Sequence, residues 1–342
     1  MKIQIGLLTT CLSLSLVLQA ADFGAVPDQY VGNWSGILTT GAPEELVHAT
    51  VIKYNQWYEV TFRAKPDPRA EAIVILNGAI QKDKLVLEPA AAGDAPPGKT
   101  SEWRGQATRN KMTGNFLGGE NGGFSLSKVP FQPSPTLGEK APSGAVVLFD
   151  GTHLKAWESK QAPADPIQWK LADSDALEVV SLRDGKKNKQ DLRTKELFSD
   201  YRLHLEFKLA DKPEATGQGR SNSGIIHLGM YETQILDSFG LYGRDNECGA
   251  IYKIREPDCN AGYPAGLWQT YDIEVKAPRY DAGEKKIAAA RLTVRLNGIL
   301  VQNDVSVPNP TAGDKEAAQG PIVLQDHGNP VQFRNIWAVK YK

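Results

Sequence analysis

Hydrophobic and polar residues alternate along several segments in the second half of the chain. In the segment Tyr201–Leu209, apolar residues occupy every odd position and polar residues every even position. The same period of two recurs at residues 271–276, 292–297 and 331–339. Because successive side chains of a β-strand point to opposite faces, this pattern predicts strands buried on one face. Helix-period patterns are scarce, so we predict an all-β protein whose long antiparallel strands form two stacked sheets.

Shorter runs of β-branched and aromatic residues, separated by Gly, Pro, Asn and Asp, fill the first half of the chain. Their regular spacing predicts a small antiparallel barrel or sandwich. The predicted strands include residues 45–54, 57–63, 72–76, 84–88, 102–108 and 123–128. In the second half, Asn297-Gly298 lies between two alternating runs and predicts a tight hairpin that joins residues 290–296 to residues 299–303.

A segment rich in proline and glycine, residues 130–144, separates the two halves of the chain. Proline and glycine at this density are typical of an extended linker. We therefore predict a small N-terminal β domain over residues 22–129, followed by the linker. A larger jelly-roll sandwich is predicted over residues 145–342.

The first 21 residues have the pattern of a secretory signal peptide. Lys2 supplies a positive charge, residues 5–18 are apolar and uncharged, and the small residues Ala20-Ala21 follow. The apolar stretch is too short to span a membrane comfortably, and no later segment is long enough. The mature protein is therefore expected to be secreted or periplasmic, without a membrane span.

Charge and cysteine usage narrow the expected partners and chemistry. The formal net charge of −1 creates no field that attracts nucleic acid or an anionic membrane, so neither is an expected partner. The basic run at residues 186–189 lies in a polar stretch and is interpreted as a solvated loop. Cys248 and Cys259 remain after signal removal; in an oxidising compartment they favour one disulfide, with two free thiols as the alternative. The sequence indicates no oligomeric state.

The segment Ser221–Asp237 is the densest in chemically active side chains. In a strand, Glu232 and Gln234 share one face, and a bulge before Asp237 would return its carboxyl to that face. Glycosyl transfer with paired carboxylates needs them about 5–9 Å apart. The alternative is a solvated polar face. Before this strand, Asn222-Ser223-Gly224 predicts a tight loop that offers polar groups to a ligand, or a glycine needed only for backbone geometry.

A second cluster lies between residues 320 and 337. Gln325, Asp326 and His327 follow a predicted strand, and Arg334 lies on the next one. A histidine beside an acid at a strand end can carry protons. The alternative is that Asp326 and His327 only stabilise the turn.

Four other side chains allow two interpretations each. Trp157 is interpreted as core packing, whereas Trp268 fits either the core or a rim on which a sugar stacks. His204 and His227 are candidate metal ligands by residue type. No compact spacing of histidines and acids supports them, so no metal site is predicted.

These segments together resemble the 3-keto-disaccharide hydrolase family. The matching blocks occur in the family's order and extend from residue 148 to residue 336. They are Leu148-Phe149-Asp150-Gly151, Tyr201–Leu209, Asn222-Ser223-Gly224-Ile225, Tyr231–Asp237, Gly249-Ala250-Ile251-Tyr252, Leu296-Asn297-Gly298, Leu324-Gln325-Asp326-His327-Gly328 and Phe333-Arg334-Asn335-Ile336.

The resemblance implies a concanavalin-like jelly roll that acts on glycosides whose C3 hydroxyl has been oxidised to a ketone. Such a ketone acidifies the C2 hydrogen, so a base can remove that proton and the C1 substituent can then leave. Water can add afterwards, which gives net hydrolysis. The chain departs from a minimal family member in its N-terminal β domain and in a segment that resembles an insertion, residues 280–289.

The predicted function is therefore that of an exported enzyme that cleaves glycosides or disaccharides, with a small saccharide as substrate and no cofactor. Glu232 or Asp237 is expected to be the base and His327 the acid. The predicted substrate-binding residues are Glu206, Asn222, Gln234, Lys253, Gln325 and Arg334. All these side chains are expected to converge on one sugar-sized hollow. The alternative is a lectin-like module that binds carbohydrate without chemistry.

Overall fold

The computed structural model describes residues 22–39, 44–90, 103–116, 122–180, 189–312 and 315–341 of the 342-residue chain. The predicted signal segment, residues 1–21, lies outside these ranges. Within them, the regular structure is β-strand apart from one 3-10 helix at Gly217–Gly219, which confirms the predicted all-β class. The described part of the chain has no helix that is long and apolar enough to cross a membrane.

The N-terminal domain is a closed antiparallel barrel. Its strands are β1 (Gly32–Thr39), β2 (Glu45–Tyr54), β3 (Trp57–Arg63), β4 (Ala72–Gln81), β5 (Lys84–Pro89), β6 (Trp103–Ala107), β7 (Lys111–Phe116) and β8 (Gly123–Lys128). Each strand pairs with the next along the chain, and β1 pairs with β8 to close the barrel. Closure leaves no unpaired sheet edge, which removes the usual site of edge-to-edge aggregation.

Side chains fill the interior of the barrel. Trp34, Phe62 and Phe124 lie inside it, and the rings of Phe62 and Phe124 meet edge to face with their centroids 4.9 Å apart. Alternate positions of each strand supply this core, as the period of two requires. The interior therefore stabilises the domain through apolar burial.

The C-terminal domain is a sandwich of two antiparallel sheets. Its strands are β9 (Val146–Phe149), β10 (Trp157–Ser159), β11 (Lys170–Ala172), β12 (Ala176–Glu178), β13 (Leu192–Thr194), β14 (Tyr201–Lys208), β15 (Ser223–His227), β16 (Tyr231–Ile235), β17 (Trp268–Lys276), β18 (Arg279–Tyr280), β19 (Lys286–Ala288), β20 (Ala290–Leu296), β21 (Ile299–Val307), β22 (Val323–Leu324) and β23 (Gln332–Lys340). The smaller sheet has the order β10-β13-β22-β15-β16. The larger sheet has the order β11-β12-β23-β14-β17-β20-β21, and β9 also pairs with β23.

The core of the sandwich lies between the inner faces of the two sheets. On β14, Tyr201, Leu203, Leu205 and Phe207 belong to this core, which confirms the alternation read from the sequence. The predicted hairpin is also confirmed, with β20 and β21 joined at Asn297-Gly298, although β21 continues to residue 307. The two short strands β18 and β19 form a separate small sheet that begins one residue before the segment that resembles an insertion.

The segment between the two domains lies against the larger sheet and does not extend freely. The Thr136 hydroxyl donates to Asp272 Oδ2 at 2.7 Å, and the Gly138 amide donates to Glu206 Oε1 at 2.6 Å. These bonds hold part of residues 130–144 on the outer face of β14 and β17. The sequence suggested an extended linker because proline and glycine report local backbone restrictions and not docking.

The barrel packs directly against the sandwich. The Asn55 amide, in the turn after β2, donates to the Pro213 carbonyl at 2.8 Å. Gly240 has a φ of +73°, and a Cβ at that position would lie 2.7 Å from Thr50 Cγ2. Glycine is therefore required at 240 both by its left-handed backbone and by the close approach of β2.

Candidate functional site

One cluster of reactive side chains lies on the outer face of the smaller sheet. On β16, Tyr231 and Ile235 point into the core, so Glu232 and Gln234 point outward. Ile226 on β15 lies directly across from Glu232. The polar pair predicted from the sequence alternation therefore does share one face, beside an apolar neighbour.

Glu232 is held in a nearly closed environment. The residue is only 5% exposed, and its Oε1 accepts a hydrogen bond of 3.2 Å from Gln325 Nε2. A Cβ at Gly224 would lie 2.5 Å from that same oxygen. Gly224 is therefore explained by the space that the carboxylate occupies. The turn geometry considered from the sequence is not the reason, because the residue lies within β15.

The surroundings of Glu232 raise the pKa of its carboxyl group from 4.5 to about 7. Burial is the main cause that raises its pKa to about 7, and the nearby Asp191 carboxylate acts in the same direction. The hydrogen bond from Gln325 and the charge of Lys189 oppose the rise in pKa. A carboxylate with this pKa can accept a proton near pH 7 and release it again, as a general base requires.

The side-chain amides next to Glu232 form hydrogen bonds with one another. Gln234 Nε2 donates to Gln218 Oε1 at 2.9 Å, and Asn222 Nδ2 donates to the same oxygen at 3.0 Å. The Asn246 carbonyl accepts from both Gln218 Nε2 and Gln234 Nε2. Asn222 and Gln234 are thus 3% and 1% exposed. They shape the wall of the site instead of presenting free donors to solvent.

Four residues of this region escaped the sequence reasoning. Gln218 lies in the short 3-10 helix and Asn246 in a loop, and neither segment has a periodicity that could mark it in the sequence. Lys189 and Asp191 directly precede β13, and the basic run containing Lys189 was interpreted as a solvated loop. Lys189 is 54% exposed at its side chain, which agrees with solvation, yet its charge also acts on Glu232. The other lysines of the run lie outside the described residues.

The carboxylate of Asp326 holds the turn after β22. The Asp326 carboxylate accepts from the amides of Gln190 at 3.0 Å and of Gly328 at 2.9 Å, so it fixes the turn. Its own amide donates to Asp191 at 2.9 Å. His327 is exposed at the tip, two residues beyond Gln325. Asp326 therefore has a structural role, whereas the imidazole of His327 stays accessible.

Asp237 lies at the contact with the barrel. Arg220 binds Asp237 Oδ2 through NH2 at 2.6 Å and through Nε at 3.2 Å. The same guanidinium donates to the Lys53 carbonyl at 3.3 Å and lies over the Tyr54 ring. Burial raises the pKa of Asp237, while Arg220 opposes the rise. This carboxylate forms an ion pair within the C-terminal domain, beyond the end of β16, and its partner Arg220 contacts the barrel.

Lys253 lies on the loop beside β16, where it forms an exposed ion pair. Its Nζ is 3.3 Å from Asp245 Oδ1, and the two side chains are 54% and 48% exposed. An exposed pair of this kind contributes little to stability. Lys253 is therefore available to solvent, and its neighbour Tyr252 donates from its amide to the Glu232 carbonyl.

Glu206 and Arg334 lie on the other sheet. Glu206 Oε2 accepts from Arg334 Nε at 2.6 Å, and its Oε1 accepts from Asn335 Nδ2 at 2.9 Å. The guanidinium of Arg334 stacks over the Trp268 ring at 4.0 Å, which makes Trp268 a buried support and not a sugar-stacking rim. Burial opposes ionisation of Glu206, but its hydrogen bonds outweigh this and lower the pKa to about 2.

The expectation that all predicted site residues converge is therefore wrong. The outer faces of the two sheets in a sandwich point away from each other. Glu232, Gln234 and Gln325 belong to the smaller sheet, whereas Glu206 and Arg334 belong to the larger one. The latter pair borders a separate cavity of about 300 Å³.

Among the described residues, Glu139, His204 and Asp272 offer ligand atoms within 4.8 Å of one another. His204 Nδ1 lies 3.0 Å from Asp272, and Arg202 NH2 lies 3.1 Å from Asp272 and 3.2 Å from Glu139. A metal ion between these carboxylates would face the fixed charge of Arg202 at close range. The donor set therefore fits an ion-pair network that holds the linker and does not fit a metal.

His227, the second candidate metal ligand, is buried, as is Cys248, whereas Cys259 is partly buried. His227 bridges Tyr201 Oη at 2.9 Å and Thr233 Oγ1 at 3.0 Å, and burial lowers its pKa to about 3. Cys248 and Cys259 are free thiols, so the predicted disulfide is wrong. Cys248 Sγ is buried 3.4 Å from a tyrosine hydroxyl in the core, and burial raises its pKa to about 11. Trp157 is core, as predicted, and donates to a backbone carbonyl.

Comparisons with known proteins agree with the fold. Residues 144–339 match the 3-keto-alpha-glucoside-1,2-lyase-like domain. A crystal structure from Parabacteroides distasonis ATCC 8503, whose name assigns it provisionally to the glycosyl hydrolases, is 35% identical. The alignment covers 62% of this chain and 92% of that one, with a TM-score of 0.52.

Two further structures with the same provisional name and from the same organism are 18% and 22% identical, with TM-scores of 0.43 and 0.40. Each alignment covers 58% of this chain, and 95% and 99% of the respective relative. No curated protein sequence matches the chain. The family match spans more than half of the residues and confirms the resemblance read from the sequence blocks. The chain therefore belongs to the family of the 3-keto-alpha-glucoside-1,2-lyase-like domain.

Proposed function

We propose that the C-terminal domain cleaves the glycosidic bond of sugars that carry a ketone at C3, with Glu232 as the general base. The observation that carries this proposal is the state of one carboxylate. Glu232 is nearly buried, its pKa is raised to about 7, and Gly224 leaves room for its oxygen. Perturbed acidity combined with a specific geometry is characteristic of functional sites.

The proposed reaction needs a base but no strong nucleophile. Glu232 takes the proton from C2, and the electrons of that C–H bond delocalise onto the C3 ketone as an enolate. The electrons then return to form the C1=C2 double bond, and the C1–O bond breaks. The leaving oxygen takes up a proton and departs as an alcohol, and the sugar remains as an enone. The description of the matched family, a 1,2-lyase, fits this sequence of steps.

Two neighbouring groups are assigned supporting roles within the proposal. His327, exposed on the turn that carries Gln325, donates the proton to the leaving oxygen. Lys189 is the cation whose charge already acts on Glu232 and is our candidate for stabilising the enolate. Positioned proton transfer contributes about 10²–10⁴-fold to rate, and charge stabilisation often contributes as much.

The test compares Glu232→Gln with Glu274→Gln, which removes an exposed carboxylate from β17 of the same domain. With a 3-keto-glucoside as substrate, Glu232→Gln should lower kcat by about 10²–10⁴-fold, whereas Glu274→Gln should leave it unchanged. The unoxidised glucoside should not react with either protein or with the wild type. If wild-type protein binds the ketone sugar without releasing the alcohol, the lectin-like alternative replaces this proposal.

The pH dependence gives a second, independent readout. A base with a pKa of about 7 is mostly protonated at pH 6 and mostly ionised at pH 8. The kcat/KM of the wild type should therefore be about tenfold lower at pH 6 than at pH 8. A profile that is flat between these values would exclude Glu232 as the base. We further propose that the protein acts after export, which processing at residues 20–21 in the native host would support.

A further inference from the structure

A loop from residue 242 to residue 258, here called the edge loop, completes the side of the smaller sheet. The Gln234 amide donates to the Ala250 carbonyl at 3.0 Å, and the Tyr252 amide donates to the Glu232 carbonyl at 3.0 Å. The Gly249 amide donates to the Gln234 carbonyl at 3.2 Å. The backbone beneath the proposed base is thus paired with the edge loop on one side and with β15 on the other.

The edge loop also fixes side chains of the proposed site. The Asn246 carbonyl accepts from Gln234 Nε2 at 3.3 Å and from Gln218 Nε2 at 2.8 Å. Lys253 is tied back to Asp245 within the same loop. The position of the edge loop therefore sets the orientation of the amides that line the site beside Glu232.

The two ends of the edge loop are held together by one side chain of the N-terminal barrel. Arg69 donates from Nε to the Tyr242 carbonyl at 3.0 Å and from NH2 to the Gly243 carbonyl at 2.9 Å. It also donates from NH1 to the Asp258 carbonyl at 2.7 Å and from NH2 to the Pro257 carbonyl. A guanidinium has five N–H donors in a rigid planar fork, so one arginine can bind all four carbonyls.

Arg69 is presented for this contact by a fixed turn. Its own amide donates to Asp67 Oδ1 at 2.9 Å, and the Ala70 amide donates to the Asp67 carbonyl at 3.0 Å. The guanidinium lies 5.1 Å from the centre of the Tyr242 ring. Glu256 is 3.8 Å away, beyond hydrogen-bond distance, so the carbonyls are the main partners.

We propose that Arg69 is a positioning residue, through which the barrel holds the edge loop closed against β16 and so orients the sugar-binding wall beside Glu232. This inference rests on the proposed function of the site. Without the clamp, the two ends of the loop lose the four hydrogen bonds from Arg69. Opening then costs less, because fewer bonds oppose the conformational entropy that the loop gains, while Gln302 still binds the carbonyls of Gly249 and Glu256. The barrel is then part of the working enzyme and not a passive appendage.

The clamp itself is tested without any substrate. Hydrogen exchange should be measured in the full-length wild type, Arg69→Ala, Arg69→Lys and Arg104→Ala. Arg104 is a matched control because it lies on the barrel wall, 57% exposed, at 4.0 Å from an exposed glutamate. Arg69→Ala should increase exchange of amides in residues 242–258 about tenfold, with no change in β14 or β20. Arg104→Ala should match the wild type.

The effect on the site is tested by kinetics with a 3-keto-glucoside. Arg69→Ala should raise KM about tenfold while kcat stays within about twofold, because the binding wall loosens but Glu232 keeps its pairing with β15. Arg69→Lys should fall between the two, since an ammonium cannot bind four carbonyls at once. It also reports on the clamp if the alanine variant does not fold.

Each outcome decides one point. Faster exchange in the edge loop together with a raised KM supports the inference. Unchanged exchange in Arg69→Ala overturns the clamp and leaves the proposed function intact. Faster exchange with unchanged KM and kcat overturns the positioning role. A wild type that turns over no substrate removes the proposed function, while the exchange data still decide whether Arg69 holds the loop.

Discussion

Replacing Glu232 with glutamine should stabilise the protein above neutral pH while it removes the proposed base. In the folded chain this carboxyl is 5% exposed and has a pKa of about 7, compared with an ordinary value of 4.5. Burial disfavours the charged form, so ionising the carboxylate costs folding free energy. Glutamine has nearly the same shape, carries no charge and keeps an oxygen that can accept from Gln325.

The magnitude follows from the shift in pKa. Each pKa unit corresponds to about 1.4 kcal/mol, so a rise from 4.5 to about 7 gives about 3 kcal/mol. The folded protein holds this proton more tightly than the unfolded chain. The contribution of this bound proton to the free energy of folding is therefore complete below pH 4.5, and it is lost as the pH rises through 7. The glutamine variant has no such dependence, so it should gain about 3 kcal/mol over the wild type at pH 8 and almost nothing at pH 4.

The assay is urea unfolding at pH 4, 6 and 8, followed by tryptophan fluorescence. Wild type, Glu232→Gln and Glu274→Gln should be compared, since Glu274 is exposed and should show no comparable gain. The difference between Glu232→Gln and wild type should increase with pH through the window from 4.5 to 7. A difference that is the same at pH 4 and pH 8 would refute the reasoning that Glu232 is a buried carboxyl of raised pKa.

Three further predictions concern other features of the structure. Gly224→Ala should lower kcat about 10²-fold with little change in the urea midpoint, because its Cβ would displace the Glu232 carboxylate; wild-type turnover would contradict this. Glu206→Gln should destabilise the fold by about 3 kcal/mol at pH 7. The pKa of Glu206 is lowered from 4.5 to about 2, so its ionised carboxylate stabilises the fold above pH 4.5, and this contribution is lost as the pH falls through 2. Its turnover should match the wild type, and reduced turnover in the folded variant would restore the predicted substrate-binding role. A thiol reagent should modify Cys259 slowly in the native protein and Cys248 only after unfolding, whereas an unfolded protein without reactive thiols would restore the disulfide.

The disulfide prediction failed for a reason that is general to this fold. Two cysteines eleven positions apart indicate a pair only if the intervening loop returns the chain to the same place. Here Cys248 points into the sandwich core beside Tyr271, whereas Cys259 is only partly buried. Both cysteines pack against the same core, so burial in that core does not by itself pair two thiols, and sequence separation does not report the geometry between them.

Much of the architecture is already determined by the sequence. The period of two along Tyr201–Leu209 places alternate side chains in the core, and Asn297-Gly298 closes the hairpin because its residues adopt a positive φ. Both signals are local, since they depend on the backbone preferences of a few adjacent residues. The same locality makes Glu232 and Gln234 neighbours on one face of β16.

Only the tertiary structure decides on which outer face of the sandwich each outward-pointing polar side chain lies. Alternation shows that Glu206 and Glu232 both point away from the core, but a sandwich has two outer faces that look in opposite directions. Strand order places Glu206 beside Arg334 on the larger sheet and Glu232 beside Gln325 on the smaller one. The edge loop and Arg69 come together through contacts between distant parts of the chain, for which no local pattern exists. The strand by itself determines the direction in which a side chain points, because neighbouring residues alternate. The packing of the sheets determines which side chains from distant parts of the chain come together.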